Sequence, residues 1–111
     1  MSTPRISVLI AAYNPRYLKA ALQSVAAQTI AGLEIVVRDD SRTDAVESIV
    51  RTFAAESGAV VDYQRNEAQL GVRRNYERCF AASRGEYIKF LNDDDLLDRD
   101  CLERLARDGK R

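Results

Sequence analysis

The segment "ISVLIAAYNP", Ile6 to Pro15, opens with seven apolar or small residues and then breaks. Such a run is too short to hold a helix in water. It lacks the polar alternation of a half-exposed strand, so it reads as a strand buried on both faces. Strands of that kind belong to parallel sheets with helices on either side. The break supports this reading. Asn14 can cap a helix, and Pro15 suits its first position. Leu18, Ala21, Leu22 and Val25 then recur at helical spacing, which predicts an amphipathic helix.

The pattern repeats along the chain. "EIVVRDD", Glu34 to Asp40, is a second strand, and "SRTD" ends it. Thr43 or Asp44 is the candidate cap of a second helix carrying Val46, Ile49, Val50 and Phe53, with Gly58 as its stop. "AVVDYQR", Ala59 to Arg65, is a third strand, and "NEAQLG" a loop. Val72, Tyr76, Cys79 and Phe80 mark a third helix, with Gly85 just past its end. "EYIKFLN", Glu86 to Asn92, is a fourth strand, and Leu102 and Leu105 suggest a short last helix. Strict β-α alternation with short loops implies a mostly parallel sheet with right-handed crossovers, an α/β, Rossmann-like architecture. Residues 1–111 form one domain, with no repeat and no linker. The absence of a closing element leads us to expect part of a longer protein.

Bulk composition narrows the chemistry. The chain has 17 basic and 17 acidic residues and no net charge, so no basic field for nucleic acid is expected. No apolar stretch approaches the roughly 20 residues of a membrane span. The N-terminal apolar run follows no basic segment and reads as a strand, not a signal peptide. Cys79 and Cys101 are too few and too irregular for a disulfide framework or a zinc site. They are expected to stay reduced, which predicts a cytoplasmic setting. There is no histidine, which removes the commonest general base and transition-metal ligand.

In open α/β sheets, ligands bind beyond the carboxyl ends of the strands. Tyr13 and Asn14 follow the first strand, Asp39 and Asp40 end the second, and Asn92, Asp93, Asp94 and Asp95 follow the fourth. A parallel sheet brings these five carboxylates to one edge. Like charges at about 4–6 Å disfavour ionisation. The carboxylates can splay into water, accept N–H groups at helix starts, or hold Mg2+ or Mn2+ together with a phosphate ligand. Taken singly, the acidic triplet also fits a solvated turn, Asp40 a helix cap, and Tyr13 core packing.

The same residues carry a resemblance. "ISVLIAAYN", "LQSVAAQT", "EIVVRDDSRTD" and "NEAQLGVRRNYERCFAASRGEYIKFLNDDDLL" resemble, in order, the motifs of the N-terminal, nucleotide-sugar-binding portion of family 2 glycosyltransferases of the GT-A fold. The resemblance implies sugar transfer from a nucleoside-diphosphate sugar to an acceptor hydroxyl, metal-dependent and inverting. It implies Asp94 as the Mn2+ or Mg2+ ligand, Asp95 as a support for the loop or a ligand through water, and Asp93 against the ribose or diphosphate. Asp40, beside Asp39, matches the position that receives the nucleobase imide, which favours a UDP- or dTDP-type donor. Ala11 and Tyr13 would flank the base, and Arg74 would approach the base or the diphosphate.

Four departures accompany the resemblance. Asn92 replaces the first acidic residue of the D-x-D motif, and Ala11-Ala12 replaces Pro-Thr. Arg38 stands where an apolar residue is usual, and Arg42 lies in the turn after Asp40. In the family, the catalytic base and the site for a saccharide or lipid-linked acceptor lie downstream of this segment. The resemblance therefore places them beyond Arg111, with the full-length protein in the cytoplasm or at the inner face of the membrane. A non-catalytic nucleotide-binding or interaction module is the competing reading. A signalling receiver domain fits poorly, because Asp62 lies mid-strand and no fifth strand is present. An uncovered sheet edge predicts self-association. Sedimentation over a concentration series should show it, and monomer at every concentration would count against it.

Overall fold

The computed structural model describes residues 3–108. The elements are β1 (Ile6–Ala12), α1 (Leu18–Ala26), β2 (Leu33–Asp39), α2 (Ala45–Ser57), β3 (Val61–Arg65), α3 (Val72–Ala82), β4 (Tyr87–Leu91) and α4 (Cys101–Asp108). The sheet is parallel throughout, in the order β3-β2-β1-β4. The chain builds outward from β1 to β3 and then returns to the other side of β1. Right-handed crossovers place helices on opposite faces when the direction of winding reverses. Accordingly, α3 packs on the face opposite α1 and α2.

The two faces differ in strength. On one, Ile6, Val8, Ile10 and Ala12 of β1 and Ile35 and Val37 of β2 join Leu18, Leu22 and Val25 of α1. Val50 and Phe53 of α2 and Leu102 of α4 complete this core. On the other face, Leu9, Val36 and Cys79 form a small cluster edged by Tyr76, Ala82 and Ile88. The central strands therefore bury both faces, which is why their sequences show no alternation.

The second face also holds polar anchors. Glu34, buried beside Ser7, accepts hydrogen bonds from the Ser7 hydroxyl, the Arg84 N–H at 2.7 Å and the Arg84 guanidinium at 3.2 Å. The Gly85 N–H donates to the Ser7 hydroxyl oxygen at 2.8 Å. Arg38, also buried, pairs with Asp62 at 3.1 Å. Its guanidinium thus finds a partner on the neighbouring strand, which explains how a charge is tolerated in a central strand.

Several local expectations need correction. Asn14 and Pro15 do not start α1; the Asn14 side chain accepts the Arg16 N–H at 3.0 Å in a turn, and the helix begins at Leu18. Asp44 occupies the N-cap position of α2, but its carboxylate goes to Arg65 at 2.8 Å and makes no cap bond. Gly58 ends α2 in the left-handed conformation, as expected. In α3, Val72 and Phe80 are exposed at 69% and 59%, while Asn75 and Cys79 are buried. A single helix on this face meets only two strands closely, so its apolar stripe is narrower than its sequence suggests. The predicted third and fourth strands are each trimmed by one or two residues at their ends.

Candidate functional site

The direction of winding reverses between β1 and β4, the point beyond whose carboxyl strand ends open α/β sheets bind ligands. One carboxylate ties the segments that follow these two strands together. Asp93 Oδ2 accepts the backbone N–H groups of Tyr13 and Asn14, each at 2.8 Å. Two N–H donors on one oxygen hold that carboxylate strongly. They also fix Tyr13 beside the loop that follows β4.

A cleft of about 290 Å³ lies beside this junction, lined by Ala11, Tyr13, Asp40, Gln69, Gly71, Val72 and Asn75. The structure thus brings together Ala11, Tyr13 and Asp40, three residues drawn from two strand ends. Tyr13 is 55% exposed, so it is available as a stacking face and is not core packing. Gln69, Gly71, Val72 and Asn75 were not expected from the sequence. They come from a loop and helix start that only the fold carries to this edge.

Asp39 and Asp40 occupy different places. Asp39 is fully buried behind the cleft. One of its oxygens accepts the Ser41 N–H at 2.9 Å and the other the Tyr63 hydroxyl. Burial and the Asp39 carboxylate together push the Tyr63 phenol well above its ordinary value. The expectation that Asp39 contacts a nucleotide therefore gives way to a role behind the cleft, because both oxygens already have partners.

Asp40 is 3% exposed at the cleft wall. Oδ1 accepts the Asn66 amide and the Leu70 N–H, each at 2.9 Å. Oδ2 accepts the Gly71 N–H at 2.9 Å and shares the Leu70 N–H at 3.1 Å. Burial alone would raise its carboxyl pKa. The Asn66 amide, the Leu70 and Gly71 N–H groups and the Arg42 charge outweigh burial and hold it below the usual value. Asp40 is thus a tertiary clamp for the loop leading into α3, and it does not cap α2.

The sign of its pH effect follows. Its pKa is lower folded than unfolded, so its stabilisation is complete above the unfolded value of about 3.9. That stabilisation is lost as pH falls through the folded value. Acid unfolding followed by circular dichroism should show wild-type stability declining below about pH 4. Asp40→Asn should be less stable at pH 7, by about 2 kcal/mol, with a shallower decline in acid. An unchanged acid profile would remove Asp40 from this role.

The acidic loop and the start of α4 are held from α1 and the turn that follows it. Ser24 Oγ accepts the Leu97 N–H at 3.1 Å. The Gln28 amide donates to the Asp98 carbonyl at 2.7 Å and accepts the Leu102 N–H at 3.0 Å. Thr29 donates its hydroxyl to Glu103 at 2.6 Å. The Ser, Gln and Thr of "LQSVAAQT" thus position the loop after β4, a role their spacing does not disclose.

Within that loop, Asp94 and Asp95 are exposed. Asn92 accepts the Tyr76 hydroxyl at 2.7 Å and donates to Asp95 at 3.2 Å. Burial pushes the Tyr76 phenol up to about 12, so it stays a donor at neutral pH. Among the described residues, no three His, Cys, Asp or Glu side chains gather into a group able to hold a metal ion. The open carboxylates, Asp94 and Asp95, are hard oxygen donors. Such a sparse set fits Mg2+ or Mn2+ that arrives with phosphate oxygens to complete its shell. Arg74 is exposed in the first turn of α3 and lines neither the cleft nor the adjacent groove. That groove, of about 490 Å³, is lined by Arg73, Tyr76, Phe80, Phe90, Asn92 and Asp95, among others.

Comparison with known proteins supplies a frame for this geometry. The family description "Glycosyl transferase family 2" matches residues 7–108. The chain is 35% identical over 109 residues to EpsH of Bacillus subtilis, covering 96% of this chain and 31% of that protein. Its fold superposes on S. aureus TarS residues 1–349 with a TM-score of 0.85 and 25% identity, over 93% of this chain and 31% of that 1–349 segment. TarS has also been solved with UDP and with UDP-GlcNAc. The mannosyltransferase PcManGT of Pyrobaculum calidifontis, solved with GDP-Man and Mn2+, aligns with a TM-score of 0.81 at 23% identity, over 96% of this chain and 31% of its own. The chain therefore spans about a third of the length of these proteins. Among the described residues, no helix is long and apolar enough to cross a membrane.

Proposed function

The chain belongs to glycosyl transferase family 2, and from that premise we propose that its strand-end cleft binds the nucleoside of a nucleoside-diphosphate sugar, with the loop after β4 facing the diphosphate. One observation carries this reading. The Asp93 bridge to the Tyr13 and Asn14 N–H groups joins a base-sized cleft to an open pair of carboxylates. Tyr13 offers the stacking face, and Ala11 leaves room for a flat ring at the cleft floor. TarS, at 25% identity, is known with UDP and UDP-GlcNAc, which supports a uridine-type donor, and a dTDP-type donor presents the same imide edge.

Asp94 is the ligand we assign to Mn2+ or Mg2+, with Asp95 beside it. A bound cation there would neutralise charge on the departing diphosphate. Asp93 is the protein's own contribution to order: it fixes the turn after β1 and so the distance between base and phosphate sites. Asp93 Oδ1 is assigned to lie against the ribose or diphosphate, while Oδ2 keeps its two N–H bonds. Arg74, exposed, is assigned to approach the base or the diphosphate. The acceptor's general base is assigned to none of these residues, since each of them has a role on the donor side.

Calorimetric titration of the chain with UDP tests the reading. Binding is expected with Mn2+ present and should weaken at least about tenfold without it. No binding to the folded chain in either condition would overturn the proposal.

A further inference from the structure

The turn after β2 carries an arginine that the donor reading does not use. Arg42 stands two residues beyond Asp40, is exposed, and does not line the cleft. Its guanidinium reaches across to the loop between β3 and α3. There it donates to the Asn66 carbonyl at 2.7 Å and to the Glu67 carbonyl at 3.1 Å. One planar fork thus takes two consecutive carbonyls, 24 and 25 residues away in the chain. That geometry suits a guanidinium and not an ammonium group.

The loop is therefore held at both ends from one turn, by opposite charges. At its far end the Asp40 carboxylate accepts the Leu70 and Gly71 N–H groups, each at 2.9 Å. At its near end Arg42 takes carbonyls. Asn66 has other anchors. Its N–H donates to the Asp39 carbonyl at 2.8 Å, its amide donates to Asp40 and Asn75, and its side-chain oxygen accepts Arg78 at 3.0 Å. Glu67 has no such support. Among the described residues, the bond from Arg42 is its one hydrogen bond or ion pair, and Ala68 and Gln69 have none. Without Arg42, the arc of residues 67–69 would hang between two fixed ends. Gln69, in that arc, forms part of the cleft wall.

Resting on the nucleotide-binding reading, we infer that Arg42 is a positioning residue for the nucleotide: it holds the arc of residues 67–69 from behind, so that the cleft wall is ordered before the ligand arrives. Binding that must first order a loop is weakened by the entropy of ordering it. A wall set in advance avoids that loss.

The test compares wild type, Arg42→Ala and Arg42→Lys by calorimetry with UDP in Mn2+, by backbone 15N relaxation and by urea unfolding. Arg42 is exposed, so the urea midpoint should move little in either variant. Arg42→Ala should bind UDP about fivefold more weakly. Its order parameters over residues 67–69 should fall from about 0.85 toward 0.6. Lysine keeps a positive charge in the turn but lacks the fork. Arg42→Lys should therefore still bind at least about twofold more weakly than wild type. If Arg42→Lys binds as tightly as wild type, charge alone is the agent and the inference is overturned. Affinity lost with order parameters unchanged would make Arg42 a direct contact of the ligand and overturn it equally. If Arg42→Ala binds UDP as tightly as wild type, Arg42 has no positioning role and the nucleotide site stands. A folded wild-type chain that binds no UDP rejects the site itself, and the role of Arg42 with it.

Discussion

Gly85→Ala is expected to destabilise the fold by about 3 kcal/mol or more. The reason is a close approach of backbone to backbone. A Cβ at position 85 would lie 2.5 Å from the Ser7 N and 2.8 Å from the Ile6 carbonyl carbon. Both atoms belong to the start of β1, a central strand whose side chains from Ile6 to Ile10 are fully buried. A flexible side-chain tip could move aside at small cost, but β1 is hydrogen-bonded to β2 and β4 and cannot. The substitution would also push the Gly85 N–H away from the Ser7 hydroxyl, which itself donates to the buried Glu34 carboxylate. Urea unfolding should show a lower midpoint with little change in slope. A midpoint within error of wild type would mean that the loop before β4 relaxes freely and that the Ser7–Glu34–Arg84 anchor is unimportant.

Asp94→Ala is expected to abolish the Mn2+ dependence of UDP binding while leaving the fold intact. Asp94 is exposed, so its loss should change stability by no more than about 0.5 kcal/mol. A cation held by few carboxylates depends heavily on each one, and removing the main one should cost at least about tenfold in metal-dependent affinity. Asp93→Ala should act differently. It frees the Tyr13 and Asn14 N–H groups, so it should weaken UDP with or without Mn2+. The contrast separates a metal ligand from a scaffold group three bonds along the same loop. Full Mn2+ dependence in Asp94→Ala would move the cation elsewhere and leave the acidic run as a solvated turn.

Much of this protein was legible from its sequence. Continuous apolar runs of seven or fewer residues, alternating with helical spacings, fixed the order of elements and their parallel arrangement, because both signals are local. Placing polar residues after the strands located the functional edge, and the ordered motifs pointed to family 2. Ends of elements were less legible. Asn14 looks like a cap, yet the Tyr13 and Asn14 N–H groups turn toward Asp93, 80 and 79 residues away, and the helix starts later. Val72 and Phe80 look like core, yet the face they share is covered by one helix, and they stay exposed.

The sequence by itself therefore determined the fold class, the strand ends that carry function and the residue types available there. Tertiary structure alone decided how the five neighbouring carboxylates divide. Asp39 and Asp40 are buried and bound to neighbours, Asp93 bridges β1 and β4, and Asp94 and Asp95 face solvent. It also brought Gln69 to the cleft and gave Ser24, Gln28 and Thr29 their hold on the acidic loop. The physical reason is common to all of these. A carboxylate's availability depends on which donors reach it, and those donors lie up to 80 residues away in the chain. Periodicity reports which side of an element is apolar; only the packed sheet shows which polar atoms have already found each other.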